Sequence, residues 1–279
     1  MDRRVRELAD STRSSMSKVT SNLAFDGRVL ELTLDSPKAN ILDASMIDGL
    51  STELKVHSGQ PLRAIVFLGA GEHFSFGASV LEHTAPYAKE MLSRFHGLFR
   101  QLLEISVPTF AVVKGQCLGG GMELAAFTEA IFAAPNARFG QPEINLAVFP
   151  PMASLLLPWK IGAAFAADLC LSGRTVSAEE AQRMGLVHAV EMDPKAALDR
   201  YLVEYLLEKS AIALRYATQA TRVGLIRAMR DELPKLEVAY LEGLMKSHDA
   251  NEGLAAFIEK RKPRYSESFD LAEWKPANL

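Results

Sequence analysis

Cysteine is nearly absent from this chain. Cys117 and Cys170 are the only two in 279 residues, so no disulfide framework organises it and a reducing compartment, the cytoplasm, is the expected setting. Long apolar runs are missing as well. The stretch Ala153 to Leu157 stops at Pro158 and Lys160, well short of the roughly 18 residues a membrane span needs. There is no excess of charge of one sign: a net charge of -3 and a pI near 6.1 offer no basic face to nucleic acid. No internal repeat occurs, and no low-complexity segment beyond the first twenty residues. His73, His83 and His96 lack a metal-ligand pattern, so no metal is expected.

What remains is an ordinary globular composition, 48% hydrophobic and 23% charged, with enough material for a large core. Residues 1–20 are rich in Arg and Ser, but Asp2, Glu7 and Asp10 argue against a transit peptide, and no apolar segment suits secretion. A disordered leader is expected there, and Met16 offers a second possible start. Residues 21–200 read as the core. Residues 201–279 read as helical, completing that core and packing on neighbouring subunits.

Periodicity gives the architecture. Leu23 to Leu34 alternates around Asp26-Gly27, a hairpin signal. Asp43 caps a helix running to about His57, and Arg63 to Leu68 is a buried strand. Pro86 to Ile105 places Met91, Leu92, Phe95, Leu98, Phe99 and Leu102 on one helical face. Thr109 to Val113 and Ala130 to Ala134 are further strands, so a mostly parallel α/β core follows. After Val190, Lys195 to Leu207, Ile212 to Met229, Pro234 to Ser247 and Asn251 to Lys260 are helical by pattern, with no β-core of their own.

The densest chemical signal is Gly115-Gln116-Cys117-Leu118-Gly119-Gly120-Gly121-Met122-Glu123-Leu124, followed by Phe139-Gly140-Gln141-Pro142-Glu143. Glycines running into a helix, about Met122 to Phe127, permit close backbone approach, and the first helical amides have no intrahelical acceptor. Such a site stabilises a developing negative charge. Read alone, Glu123 is an exposed first-turn carboxylate complementing the helix dipole, and Glu143 is a loop charge after Pro142. Cys117 reads as a small buried filler and not as a nucleophile. Gly69-Ala70-Gly71 fails as a dinucleotide fingerprint because Gly77 follows too late, and Lys114-Gly115 has the wrong order for a phosphate loop.

Taken together, Phe67 to Gly71, Phe74 to Val80, Gly115 to Leu124, Phe139 to Glu143, Leu171 to Arg174 with Ala178 to Ala181 and Gly185 to Val187, and Glu252 to Lys262 resemble the enoyl-CoA hydratase/isomerase (crotonase) superfamily over roughly Leu23 to Tyr265. The resemblance implies a spiral of ββα units, a helical C-terminal trimerisation region, and a homotrimer or a hexamer of two stacked trimers. It also implies an acyl-CoA substrate and no cofactor beyond the coenzyme A that the substrate carries. The expected oxyanion donors are the backbone amides of Ala78 and Gly120. Glu123 is expected to activate water and Glu143 to deliver the proton to carbon, with the order of the two open. Lys38, Ala39, Phe76 and Gly77 are expected along the coenzyme A, with Lys260 or Lys262 meeting its phosphates; a solvated helix end explains the last two equally well.

Departures from the common pattern narrow the substrate. Retention of Glu123 favours hydration over isomerisation. The segment Asn145 to Ser154 lacks the aspartate of the superfamily's dehalogenases, and Pro150-Pro151 replaces the hydratases' flexible glycine loop. Ser79 stands where the common motif has Asp, followed by Glu82-His83, where His83 is a candidate substrate contact or a plain loop histidine. These features are similar to hydratases that add water in a 1,4 sense to a cyclic dienoyl-CoA in anaerobic aromatic degradation. The alternatives are straight-chain enoyl-CoA hydration or isomerisation, or a non-catalytic binding protein of the same fold.

Overall fold

A computed structural model describes residues 18–37 and 39–266. Most of the expected leader therefore lies outside the described residues, although strand β1 already begins at Val19. Strands β1 (Val19–Ala24) and β2 (Val29–Leu34) pair antiparallel. Their connection is longer than the two-residue turn expected at Asp26-Gly27. It spans 25–28, because Phe25, Asp26 and Gly27 all take positive φ, at 52°, 55° and 80°.

Strands β3 (Ala64–Gly69), β4 (Thr109–Val113), β6 (Ala130–Ala133) and β9 (Ala189–Val190) extend this pair into a six-stranded sheet, ordered β1-β2-β3-β4-β6-β9 and parallel from β2 onwards. A second, three-stranded sheet joins β5 (Gln116–Leu118), β7 (Arg138–Gly140) and β8 (Thr175–Ser177). The period of two sorts side chains between two cores. Ile65, Phe67, Ala111 and Val113 enter the main cluster, while Ala64, Val66, Phe110 and Val112 enter another beneath helix α7 (Pro194–Tyr205). Burial on both faces explains why β3 and β4 read as continuous apolar runs.

Helix α1 (Ala44–His57) starts where expected, with the Asp43 carboxylate accepting from the Met46 amide at 3.0 Å. Helix α2 (Ala88–Ile105) buries all six residues of its expected face. Helix α3 (Gly120–Phe127) begins two residues earlier than its side chains suggest, since the glycines themselves form its first turn. Helices α4 (Pro151–Ile161), α5 (Ala163–Ser172) and α6 (Ala178–Arg183) follow. Helix α4 contains Pro158, and its buried Leu155, Leu156 and Leu157 hold it against the core despite the missing amide.

The C-terminal part is less regular than its pattern. The expected helix Ile212 to Met229 is two, α8 (Ala211–Thr221) and α9 (Val223–Asp231), broken at Arg222. That guanidinium turns inward to bond Glu129 and Thr109. The expected helix Pro234 to Ser247 is α10 (Leu233–Val238), a π-helical turn Ala239–Gly243 and a 3-10 turn Leu244–Lys246. Helix α11 (His248–Ile258) closes the described chain. These elements share cores with the rest: Met229 and Leu233 join the main cluster, and Tyr240, Met245 and Leu254 pack on Met91 and Leu92 of α2.

Candidate active site

Two loops meet at the site, and the sequence dictates how each is braced. The first, between β3 and a 3-10 turn at Val80–His83, is anchored by buried Asn40. The Asn40 side-chain amide donates to the carbonyls of Ala70 and His73, both at 3.0 Å, and its oxygen accepts from the Ser36 amide at 3.0 Å. The Ser75 hydroxyl donates to the Asn40 carbonyl at 2.7 Å and accepts from the Gly77 amide at 3.0 Å. The Phe76 amide donates to the Ala39 carbonyl at 2.9 Å. Single parallel bridges pair Ala78 with Leu42 and Ser75 with Cys117, which brings this loop against the second one, between β5 and α3.

The approach is close. A Cβ added to Gly120 would lie 3.2 Å from the Ala78 nitrogen, so the two backbones face each other across one carbon's width. Neither the Ala78 nor the Gly120 amide donates to an acceptor among the described residues, and Gly120 is in the first turn of α3. Two unspent N–H groups on facing backbones, that of Gly120 at a helix start, can hold an oxyanion.

Glu123, in the same first turn, is buried and not the exposed carboxylate its position alone suggests. Its Oε1 accepts from the Ala153 amide of α4 at 2.7 Å. Glu143 sits on the 3-10 turn Pro142–Leu146. Its carboxyl lies over Gly119, whose φ is 50° and where an added Cβ would stand 2.6 Å from Oε1. The Gln141 amide, with its nitrogen turned to that carboxyl, donates to the two oxygens at 3.0 and 3.3 Å. Turned the other way, its oxygen would instead accept a hydrogen bond from the O–H of the neutral acid.

Burial raises both carboxyls above the ordinary range. For Glu143 the charge of Glu123 adds to the rise, whereas the Ala153 amide partly restrains Glu123. The two carboxyls therefore titrate as a coupled pair that can keep one proton between them to higher pH than an ordinary carboxyl would.

Both loops and both carboxyls border one cavity with about 610 Å³ of empty space, part of it open to solvent. Phe76, Gly77, Ala78, Gly120, Glu123, Glu143, Pro150 and Pro151 line it. Met91, Leu92 and Phe95 of α2, with Val80, Leu146 and Phe149, make its wall apolar. Ser79 stands just behind, its carbonyl accepting from His83 Nδ1 at 2.8 Å. His83 borders the cavity, and burial lowers its pKa despite that bond. Cys117 is fully buried and its thiol pKa is raised by burial, in keeping with a packing role. Ala39 holds the Phe76 backbone without lining the cavity, whereas Lys260 and Lys262 lie exposed beyond α11 and do not reach it. Lys38 is outside the described residues.

The sequence reading missed Gln141, His96, Phe149 and Tyr240 as site residues. Gln141 stood inside a quoted motif. His96 falls four residues after Leu92 and three before Phe99, on the buried face of α2. Nothing in the sequence marks Tyr240, which reaches the cavity from the π-helical turn.

The family described as enoyl-CoA hydratase/isomerase matches residues 24–268. The cyclohexa-1,5-dienecarbonyl-CoA hydratase of Thauera aromatica is 47% identical over 255 residues, covering 90% of this chain and 99% of that protein. A probable enoyl-CoA hydratase of Mycobacterium tuberculosis is 35% identical, covering 86% of this chain and 95% of its own. Among solved structures, an enoyl-CoA hydratase from Mycobacterium avium superposes with a TM-score of 0.79 at 28% identity, covering 88% of this chain and 98% of that one.

Proposed function

The chain belongs to the enoyl-CoA hydratase/isomerase family, and from that membership together with the site we propose that it is a hydro-lyase adding water to cyclohexa-1,5-diene-1-carbonyl-CoA. The observation that carries this reading is the pair of buried carboxyls, Glu123 and Glu143, beside two unspent amides in a single apolar cavity.

The chemistry follows from those groups. Glu123 removes a proton from water, and the hydroxide oxygen bonds to ring carbon 2, beta to the thioester. The displaced π electrons pass through carbon 1 onto the thioester oxygen, where the Ala78 and Gly120 amides stabilise the charge. The second double bond extends this enolate to ring carbon 5. Glu143 delivers its proton to carbon 5, the double bond moves between carbons 1 and 6, and the thioester carbonyl re-forms. The product is 6-hydroxycyclohex-1-ene-1-carbonyl-CoA, with every atom of one water accounted for. Hydroxyl and proton enter at opposite ring positions, which suits two separate carboxyls. The Pro150-Pro151 wall and Phe149 favour a flat ring over a flexible chain. No step calls on a metal or on any cofactor other than the substrate's own coenzyme A.

We further place the coenzyme A along Ala39, Phe76 and Gly77, with Lys38, and Lys260 or Lys262 of a neighbouring copy, at its phosphates. The assembly is a homotrimer or a hexamer of two trimers in the cytoplasm. Exposed Ile212 and Tyr216 of α8 and Val223 of α9 supply the apolar contact surface this needs. No helix among the described residues is long and apolar enough to cross a membrane.

The test is turnover on cyclohexa-1,5-diene-1-carbonyl-CoA against crotonyl-CoA, followed by chromatographic quantification of the hydroxylated thioesters, since the cyclic product keeps one double bond conjugated with its carbonyl. The cyclic substrate is expected to react at least tenfold faster. A faster reaction with crotonyl-CoA would assign straight-chain hydration instead, and no reaction with either would leave a binding protein.

A further inference from the structure

The cavity contains polar chemistry that the two glutamates and two amides leave unused. His96 on α2 is 1% exposed and borders the cavity. Its Nδ1 lies 2.6 Å from Glu237 Oε1, which also accepts from Arg100 at 3.2 Å. Burial pushes the Glu237 carboxyl up, but these two donors outweigh it and hold it below the ordinary range. With Nδ1 held against that carboxylate, Nε2 is the ring nitrogen left for another group. That Nε2 is buried and has no partner.

Tyr240 presents the complementary case. It too is 1% exposed and borders the same cavity, and its hydroxyl is buried without a partner. Burial, and then the charges of Glu143 and Glu123, raise its pKa, so the phenol keeps its proton and lies within electrostatic reach of both carboxyls. Its ring packs edge-on to Phe149, with centroids 5.5 Å apart. Tyr240 occupies the π-helical turn directly after α10, which carries Glu237. π turns inside helices concentrate at functional sites because they re-aim a side chain at the cost of regular hydrogen bonding. Two buried polar atoms without partners, on residues that border one cavity, each carry a desolvation penalty, which a bound ligand would relieve.

We propose that His96, positioned by Glu237, and Tyr240 form a second polar subsite that holds the O–H group handled in the reaction, as the attacking water before addition and as the ring hydroxyl of the product after it. A ring nitrogen and a phenol bordering one cavity can between them bond an O–H group, which both offers and accepts a hydrogen bond. The subsite rests on the hydration reading above and adds to it the groups that recognise oxygen on the acyl ring.

The test compares inhibition constants of 6-hydroxycyclohex-1-ene-1-carbonyl-CoA and of cyclohex-1-ene-1-carbonyl-CoA, which lacks only the hydroxyl, in initial-rate assays with the dienoyl-CoA. The unaltered protein should prefer the hydroxylated thioester. Tyr240→Phe and His96→Leu should each reduce that preference about three- to tenfold and lower kcat, with the constant for the deoxy thioester within twofold of the parent. Glu237→Gln, on a half-buried residue, should give a smaller loss and covers the case in which His96→Leu fails to fold. An unchanged preference in Tyr240→Phe and in a folded His96 or Glu237 variant overturns the subsite. So does an equal weakening of both thioesters, which would mark a purely structural role. A parent that does not act on the dienoyl-CoA defeats the hydration reading itself, a separate failure visible before any variant is made.

Discussion

Glu123 and Glu143 are polar groups placed where an apolar core would be more stable, and their raised pKa values carry consequences for both rate and stability. Glu123→Gln and Glu143→Gln should each lower turnover about a hundredfold or more, because neither amide can move a proton, while leaving the fold intact. Steady-state kinetics with matched thermal melts checks this, and parent-like turnover in either variant removes that residue from the mechanism. The stability effect has a definite sign. The unfolded chain releases these protons near the ordinary carboxylate pKa, whereas the folded chain keeps them to higher pH. Between those limits the folded state binds more protons, so this contribution to stability falls as pH rises. Glu143→Gln removes that slope. Its Tm should therefore gain on the parent between about pH 5 and about pH 9, and a gap that shrinks with rising pH contradicts the burial argument. At Gly119, an alanine would have to accept positive φ and displace the Glu143 carboxyl it would meet at 2.6 Å. Gly119→Ala should accordingly reduce kcat by at least tenfold, with little change in coenzyme A affinity measured by titration.

Among the elements, those with a strong local signal were legible in advance. Asp43 and the helix after it, the six-residue face of α2, and strand β4 all follow from capping or periodicity, and tertiary packing reinforces them. Asp43→Ala should cost about 1 kcal/mol by leaving the Met46 amide unpaired, a Tm loss of roughly 2–4 °C in a melt. Elements with weak signals escaped the sequence. Strands β5, β7 and β8 are three residues each, too short for a period to register, and they exist because the second sheet pairs them. Helix α4 ran through Pro158 because burial of its leucines outweighs one lost hydrogen bond. The π turn at Tyr240 is invisible in a helical pattern, since an extra residue per turn disturbs periodicity over only a few positions.

At the scale of the molecule, the C-terminal helices are tied to the sheet by a buried charge. Arg222, 6% exposed, bonds both oxygens of Glu129 and the Thr109 hydroxyl, and stacks over Phe127 at 4.7 Å. Its partner keeps some solvent contact, so breaking the pair should cost at the low end of the buried-pair range, about 3 kcal/mol. Arg222→Met should show this loss in denaturant titration, and adding Glu129→Gln should recover a large part of it. An equal loss in the double variant would mean that packing and not the pair holds the junction.

The chain's own sequence determined the parallel α/β core, the glycine loop before a helix, and the identity of the two acidic residues. Those features depend on neighbours within about twenty residues, where periodicity, capping and glycine spacing act directly. Only the tertiary structure decided that Ala78 and Gly120 face each other, that Glu123 is buried against Ala153, and that His96, held by Glu237, borders one cavity with Tyr240. These contacts join residues from 30 to more than 140 positions apart. Burial, and with it the protonation of a carboxyl or the loneliness of a phenol, is a property of what the whole fold packs around a group, and no local pattern encodes it.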